Sequence, residues 1–146
     1  MQNKLFFVAS TTLELKKDLT NKKLFETYPI IYREQGSATR NAMETFISNN
    51  KFSVAKKMEL TSNEAVKQSV ISGLGCSIMP LIGIKNELKN NDLQIIPVKG
   101  LPINTSWNLI WLKSKKLSPA ALAYLDFLNS EKEHIINQKF AWINNF

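Results

Sequence analysis

The stretch Ile31-Tyr32-Arg33-Glu34-Gln35-Gly36-Ser37-Ala38-Thr39-Arg40 holds the residues best suited to grip a small polar molecule. A short apolar strand signal, Pro29 to Tyr32, leads into it. Gly36 supplies a turn, and an amphipathic helix follows. Backbone N–H groups in the first turn of a helix have no intrahelical partner, and the helix dipole favours negative charge there. Ser37 and Thr39 add hydroxyl donors. Arg33 and Arg40 are the only arginines among 19 basic residues. The planar guanidinium can meet a carboxylate or phosphate with two hydrogen bonds at once, which a lysine cannot. A plainer reading uses the same atoms: Ser37 is an N-cap and both arginines are surface charges.

Catalytic chemistry is poorly represented, and no catalytic residue is assigned. His134 is the only histidine and sits in a charged C-terminal segment, so a Ser-His-Asp set has no base placed near a pocket serine. Cys76, the only cysteine, lies in an apolar strand signal and reads as a buried, inert thiol. One cysteine and one histidine make no metal cluster, and no cofactor is expected. Glu34 and Glu44 are a conceivable carboxylate pair, but one falls in the turn and the other on the helix. Gly36, Gly73 and Gly75 read as turn and helix-stop glycines, and no phosphate-cradling or dinucleotide glycine pattern occurs.

The chain has 146 residues, enough for one domain with a core. Its hydrophobic content of 44% and charged content of 21% are those of an ordinary globular protein. The net charge of +7 is spread along the chain as short lysine pairs, without a basic stripe or interleaved aromatics. It therefore reads as a solvated surface and not as a nucleic-acid footprint. No apolar run approaches the ~20 residues needed to span a bilayer, and the short run Leu5 to Ala9 suits a strand better than a signal peptide. A single cysteine also excludes an intrachain disulfide framework and fits a reducing, cytoplasmic compartment.

Strand and helix signals alternate. Strands are expected at 5–9, 30–32, 52–60 (alternating at Val54 and Met58), 76–79, 93–98 and 105–112. Residues 11–26 read as a loop with a short helical turn. A helix over 37–49 presents Ala42, Met43, Phe46 and Ile47 on one face. Thr61 and Glu64 form a capping-box pattern for a helix that buries Ala65, Val66, Val70 and Ile71 and stops at Gly73. A further helix is expected at 81–89. Ser118 with Pro119 opens another that runs through Leu128 or beyond, and 131–146 reads as a helical or fraying tail. Such alternation indicates an α/β sheet.

Two long segments, Ile31 to Arg40 and Leu60-Thr61-Ser62-Asn63-Glu64-Ala65 through Gly73-Leu74-Gly75-Cys76-Ser77-Ile78-Met79-Pro80, together resemble the effector-binding domain of LysR-type transcriptional regulators. That family has an Arg-Glu-x-Gly-Ser-x-Thr-Arg turn before a helix, then a Ser-x-Glu-Ala helix start, a Gly-Leu-Gly stop and a strand ending in Pro. The Ser118-Pro119-Ala120-Ala121 helix start and Tyr124 to Leu128 extend the likeness, which runs from about Leu5 to Leu128. The resemblance implies a type II periplasmic-binding-protein-like bilobal α/β fold, with the second lobe complete and the first partial. Residues 1–10 would be the first crossover strand, 11–75 the second lobe, 76–130 the return crossover and partial first lobe, and 131–146 a tail. The first βαβα portion of lobe one and the family's N-terminal winged helix-turn-helix have no counterpart in this sequence.

The implied function is effector sensing in a bacterial transcriptional regulator. A small molecule, anionic if an arginine receives it, would bind in a cleft lined by Gly36, Ser37, Thr39, Ser62 and Asn63, with Arg33 or Arg40 pairing with it. A homodimer is expected, with DNA reached only through the helix-turn-helix outside this sequence. The association surface would draw on the Ala42, Met43, Phe46, Ile47 face and on apolar area around Leu81, Ile82, Trp107 and Trp111. The alternatives are an enzyme or a solute-binding protein on the same fold. A prephenate-dehydratase-like enzyme would use Thr-Arg-Phe, and here Asn41 follows Thr39-Arg40.

Overall fold

The computed structural model describes residues 1–16 and 19–146, so the part of the expected 11–26 loop at Lys17 and Asp18 lies outside the described residues. The chain divides into two units, Lys4–Thr105 and Met1–Asn3 with Ser106–Phe146.

The Lys4–Thr105 unit is organised around β1 (Gln2–Ser10), whose residues 5–10 are all buried. A strand buried on both faces reads as a continuous apolar run, which is how Leu5-Phe6-Phe7-Val8-Ala9 is written. β1 pairs antiparallel with β4 (Ser77–Pro80), Phe6 opposite Met79 and Phe7 opposite Ile78. It also pairs antiparallel with β5 (Leu93–Ile95), and β6 (Ile103–Ser106) joins the same sheet. β2 (Ile30–Arg33) and β3 (Lys57–Leu60) form a second, parallel pair. A parallel bridge between Ile30 and Cys76 ties β2 to the approach of β4, through Cys76 N–H to Pro29 O and Ile31 N–H to Cys76 O, both 2.8 Å. Gly75 makes that approach possible. A Cβ there would stand 2.4 Å from the Pro29 carbonyl oxygen, so Gly75 is a close-approach glycine and not a helix stop.

The helices form where capping and periodicity direct. α1 (Asn21–Thr27) is capped by Thr20, α2 (Ala38–Asn49) by Ser37 and α3 (Asn63–Ile71) by Ser62. Ser62 Oγ accepts from Ala65 N–H at 3.0 Å. The expected Thr61–Glu64 box is thus displaced by one residue, and Glu64 instead meets Gln68 and Lys67 on the exposed face. α3 buries Val66 and Val70, with Ala65 and Ile71 half-buried, and the chain turns at Gly73 with φ +76°. The expected 81–89 helix is broken into a 3₁₀ turn, Leu81–Gly83, and α4 (Lys85–Lys89). Gly83, a weak helix former, marks the break.

Two expected strands are shorter. Residues 52–56 leave the strand because Phe52 N–H bonds Ile47 O at the end of α2, and its ring stacks on Phe25 with centroids 5.0 Å apart. The other is β5, which stops before Pro97, a residue with no N–H to give the ladder. The expected 105–112 strand is instead β6, Ile103–Ser106, leaving 107–112 without regular structure.

Four phenylalanines fill the core. Phe25 is fully buried and sits 4.9 Å from Phe7, 5.0 Å from Phe52 and 6.3 Å from Phe46, centroid to centroid. Offset and edge contacts of this kind add to the area each ring buries. Met43, Phe46 and Ile47 of α2 all face this cluster, so that face is used by the core and leaves only Ala42 half-exposed. Leu81 is likewise buried, contrary to the expectation of an exposed patch there. Its burial follows from its position directly after β4, which lies beside the central strand.

In the second unit, α5 (Pro119–Ile135) begins with Ser118 Oγ accepting from Ala121 N–H, as expected, and continues into a π turn, Ile136–Phe140, and a 3₁₀ turn, Ala141–Asn145. The 107–112 segment is apolar yet exposed: Trp107 and Trp111 each retain 52% of their surface and Ile110 85%.

Candidate functional site

β2 ends at Arg33 and delivers the chain into a tight turn. Ser37 N–H donates to Glu34 O at 3.2 Å, and Gly36 takes φ +91° with open space where a side chain would stand. A positive φ is cheap only for glycine. Ser37 then caps α2, its Oγ 3.5 Å from Arg40 N. α2 carries Thr39 and Arg40 back over β2, while the start of α3 brings Asn63 alongside.

A small hollow results. Arg33, Thr39, Arg40 and Asn63 form its polar rim, and Met43 and Val66 with Ser77, Ile78, Met79 and Pro80 of β4 form its largely apolar wall. It measures about 10 Å³, room for about one water. Four of the seven expected site residues, Arg33, Thr39, Arg40 and Asn63, therefore meet in one place. Gly36, Ser37 and Ser62 stand beside it as turn and caps, and both serine hydroxyls accept a helix N–H. The contribution of β4 was not anticipated. Nothing local in Ser77 to Pro80 signals it, because the contact arises from the β1–β4 pairing.

Both arginines are engaged with carboxylates. Arg33 makes a bidentate pair with Glu34, both bonds at 2.7 Å, and its third nitrogen donates to Asn63 Oδ1. Arg40 donates to Glu44 at 2.8 Å, to Glu59 of β3 at 2.5 Å and to the Arg33 carbonyl at 3.1 Å. It also lies 5.8 Å from the Tyr32 ring centroid. Glu34 and Glu44 thus serve different arginines and do not form a carboxylate pair. The hydrogen bonds from Arg33 hold the Glu34 carboxyl down at about 2. Burial, then the charge of Glu44, pushes the Tyr32 phenol up to about 12.

Other candidates fall away on geometry. Burial pushes the Cys76 thiol up to about 12, which removes the thiolate needed for nucleophilic or metal chemistry. His134 is exposed on α5, 3.7 Å from Glu131. Among the described residues no group of three or more His, Cys, Asp and Glu is placed to hold a metal, and no helix is long and apolar enough to cross a membrane. Two wider depressions, about 350 Å³ beside Met1 and Ser106 and about 360 Å³ beside Asn41 and Ile103, are lined by neither arginine nor carboxylate.

The chain that carries this site belongs to a known family. Residues 1–133 match the LysR substrate binding domain, and the chain is a member of that family. It is 39% identical over 137 residues to the HTH-type transcriptional activator CmpR of Synechocystis sp. strain PCC 6803, covering 92% of this chain and 45% of CmpR. It is 45% identical over 101 residues to the RuBisCO operon transcriptional regulator of Allochromatium vinosum, covering 69% and 33%. The chain thus spans less than half the length of either regulator. Among solved structures, the regulatory domain of Synechocystis CcmR in complex with 2-PG superposes with a TM-score of 0.75 at 29% identity, covering 89% of this chain and 63% of that domain. The regulatory domain of HypT from Salmonella typhimurium shares the fold, with a TM-score of 0.69 at 16% identity. The fold is therefore the type II periplasmic-binding-protein-like α/β fold of LysR regulatory domains.

Proposed function

We propose that this chain is the effector-sensing part of a LysR-type transcriptional regulator and that a small anionic molecule binds at the Arg33–Thr39–Asn63 rim. The observation that carries the proposal is the convergence of Arg33, Thr39, Arg40 and Asn63 at two helix N-termini in one hollow. Helix dipoles and guanidinium groups both favour an anion there. The similarity to CcmR, solved with 2-PG, supports a small anion of that kind. Relatives named as transcriptional regulators weigh against the enzyme and solute-binding alternatives. Binding would act by population shift: a ligand that contacts one lobe arrangement better than another biases the oligomer and the DNA-binding domains attached to it. DNA contact is assigned to a helix-turn-helix outside these residues, and a regulator of this kind works in the cytoplasm.

The test is a calorimetric titration with 2-PG and with a panel of small carboxylates and phosphates. Saturable binding is expected, and Arg33→Lys should weaken it by about 1–2 kcal/mol, because lysine cannot reproduce the two-point contact. Absence of saturable binding to every member of the panel at millimolar concentration overturns the proposal.

Association is the second part of the reading. The exposed run Trp107, Leu109, Ile110, Trp111 and Leu112 and the exposed Leu122, Tyr124 and Phe127 of α5 are apolar surface of a kind that stable monomers seldom show. A two-fold dimer would cover it. Light scattering at tens of micromolar should report a dimer, and a well-behaved monomer would rule the idea out.

A further inference from the structure

We infer that Glu34 is an internal competitor for the effector: it occupies the Arg33 fork, and an anion gains Arg33 only by displacing the Glu34 carboxylate. This rests on the effector site proposed above and assigns its specificity-determining residue. Among the described residues the rim sets two guanidinium groups against three carboxylates, Glu34, Glu44 and Glu59, so its positive charge is more than offset. One pair must open before an anion finds a cation.

The two arginines differ in how hard they are to free. Arg40 is held by carboxylates from two elements, α2 and β3, by a backbone carbonyl, and by the Tyr32 ring. Freeing it breaks contacts that tie α2 to both strands of the parallel pair. Among the described residues Arg33 has a single carboxylate partner, supplied by the next residue along the chain, and its side chain also meets the neutral Asn63 side chain. Glu34 lies in the turn and can rotate into water without moving the backbone, since its carbonyl keeps the bond from Ser37 N–H. The pair joins two neighbouring residues and ties no second element to β2, so exchanging it disturbs less of the fold than freeing Arg40 does.

The size of the hollow leads to the same residue. Space for about one water admits no organic anion, so the rim has to part on binding. The Arg33–Asn63 contact crosses that rim, from the end of β2 to the start of α3. Turning Arg33 toward a ligand opens the hollow and exchanges Glu34 for the effector in one movement. While paired, the Arg33 hydrogen bonds hold the Glu34 carboxyl at about 2; once turned into water it is an ordinary carboxylate and still charged at neutral pH.

The experiment is calorimetry of 2-PG binding to the 146-residue chain and to Glu34→Gln, Glu34→Asp and Glu26→Gln, with thermal unfolding of each to confirm folding. Glu26→Gln removes the same charge from α1, where it pairs only loosely with Lys22. Glu34→Gln is expected to bind 2-PG about three- to ten-fold tighter, Glu34→Asp to fall between, and Glu26→Gln to match the parent. Adding Arg33→Lys to Glu34→Gln should abolish the gain. If the parent binds and Glu34→Gln binds equally or more weakly, the inference is overturned while the effector site stands. A gain shared equally by Glu26→Gln reduces the effect to net charge and also overturns it. Failure of the parent and of every variant to bind overturns the site and the inference together.

Discussion

Phe25→Ala should destabilise the chain by about 3–5 kcal/mol, the range for removing a fully buried aromatic ring. Phe25 is wholly enclosed and is the shared partner of Phe7, Phe46 and Phe52. These come from β1, the end of α2 and the segment before β3, so the ring joins three parts of the Lys4–Thr105 unit. Its loss leaves a cavity that cannot collapse, because β1 is fixed by strands on either side. Urea unfolding followed by far-UV circular dichroism gives the measurement. A cost below about 1.5 kcal/mol would mean that the four rings are not one packed cluster. Phe25→Leu should recover a substantial part of the loss, since it refills much of the volume.

Gly75→Ala is the second large effect and bears more directly on the site. The added Cβ meets the Pro29 carbonyl at 2.4 Å, and backbone cannot swing aside as a side-chain tip can. Pro29 and Gly75 must separate, which strains the Cys76 N–H to Pro29 O and Ile31 N–H to Cys76 O bonds. The expected cost is about 2–4 kcal/mol, from overpacking and weakened hydrogen bonds together. The displacement also carries β2, and with it Arg33, away from the β4 wall of the hollow, so 2-PG affinity should fall with stability. Gly73→Ala provides the contrast. That residue has φ +76° but open space around it, and the left-handed backbone alone should cost about 1 kcal/mol. Equal losses in the two variants would show that conformation, and not close approach, is what Gly75 supplies.

Much of this protein was legible locally. Ser37 and Ser118 cap the helices they were expected to cap, because a cap needs only a hydroxyl and the N–H three residues on. The Leu5 to Ala9 strand follows from an unbroken apolar run, and the α2 and α3 faces follow from periodicity, which depends on neighbours within one or two turns. The Arg40–Glu44 pair has the i,i+4 spacing of a helix surface and is readable in the same way. Arg33 and Glu34 are adjacent in sequence, so their pairing is likewise a local matter.

Tertiary structure decided everything that depends on which distant segments meet. Glu59 reaches Arg40 because β3 lies parallel to β2 in a register that sets it opposite Tyr32. Asn63 reaches Arg33 because α3 starts one residue later than the Thr61 pattern suggested. Phe52 leaves its expected strand for the ring cluster, since burial against Phe25 outweighs a ladder with β2. Gly75 looks like any helix-ending glycine until Pro29 is placed against it. Propensity and capping act over a few residues and are written into the order of the chain. Charge pairing, close backbone approach and the wall of the hollow are settled by sheet register, and register is fixed only when the whole core packs.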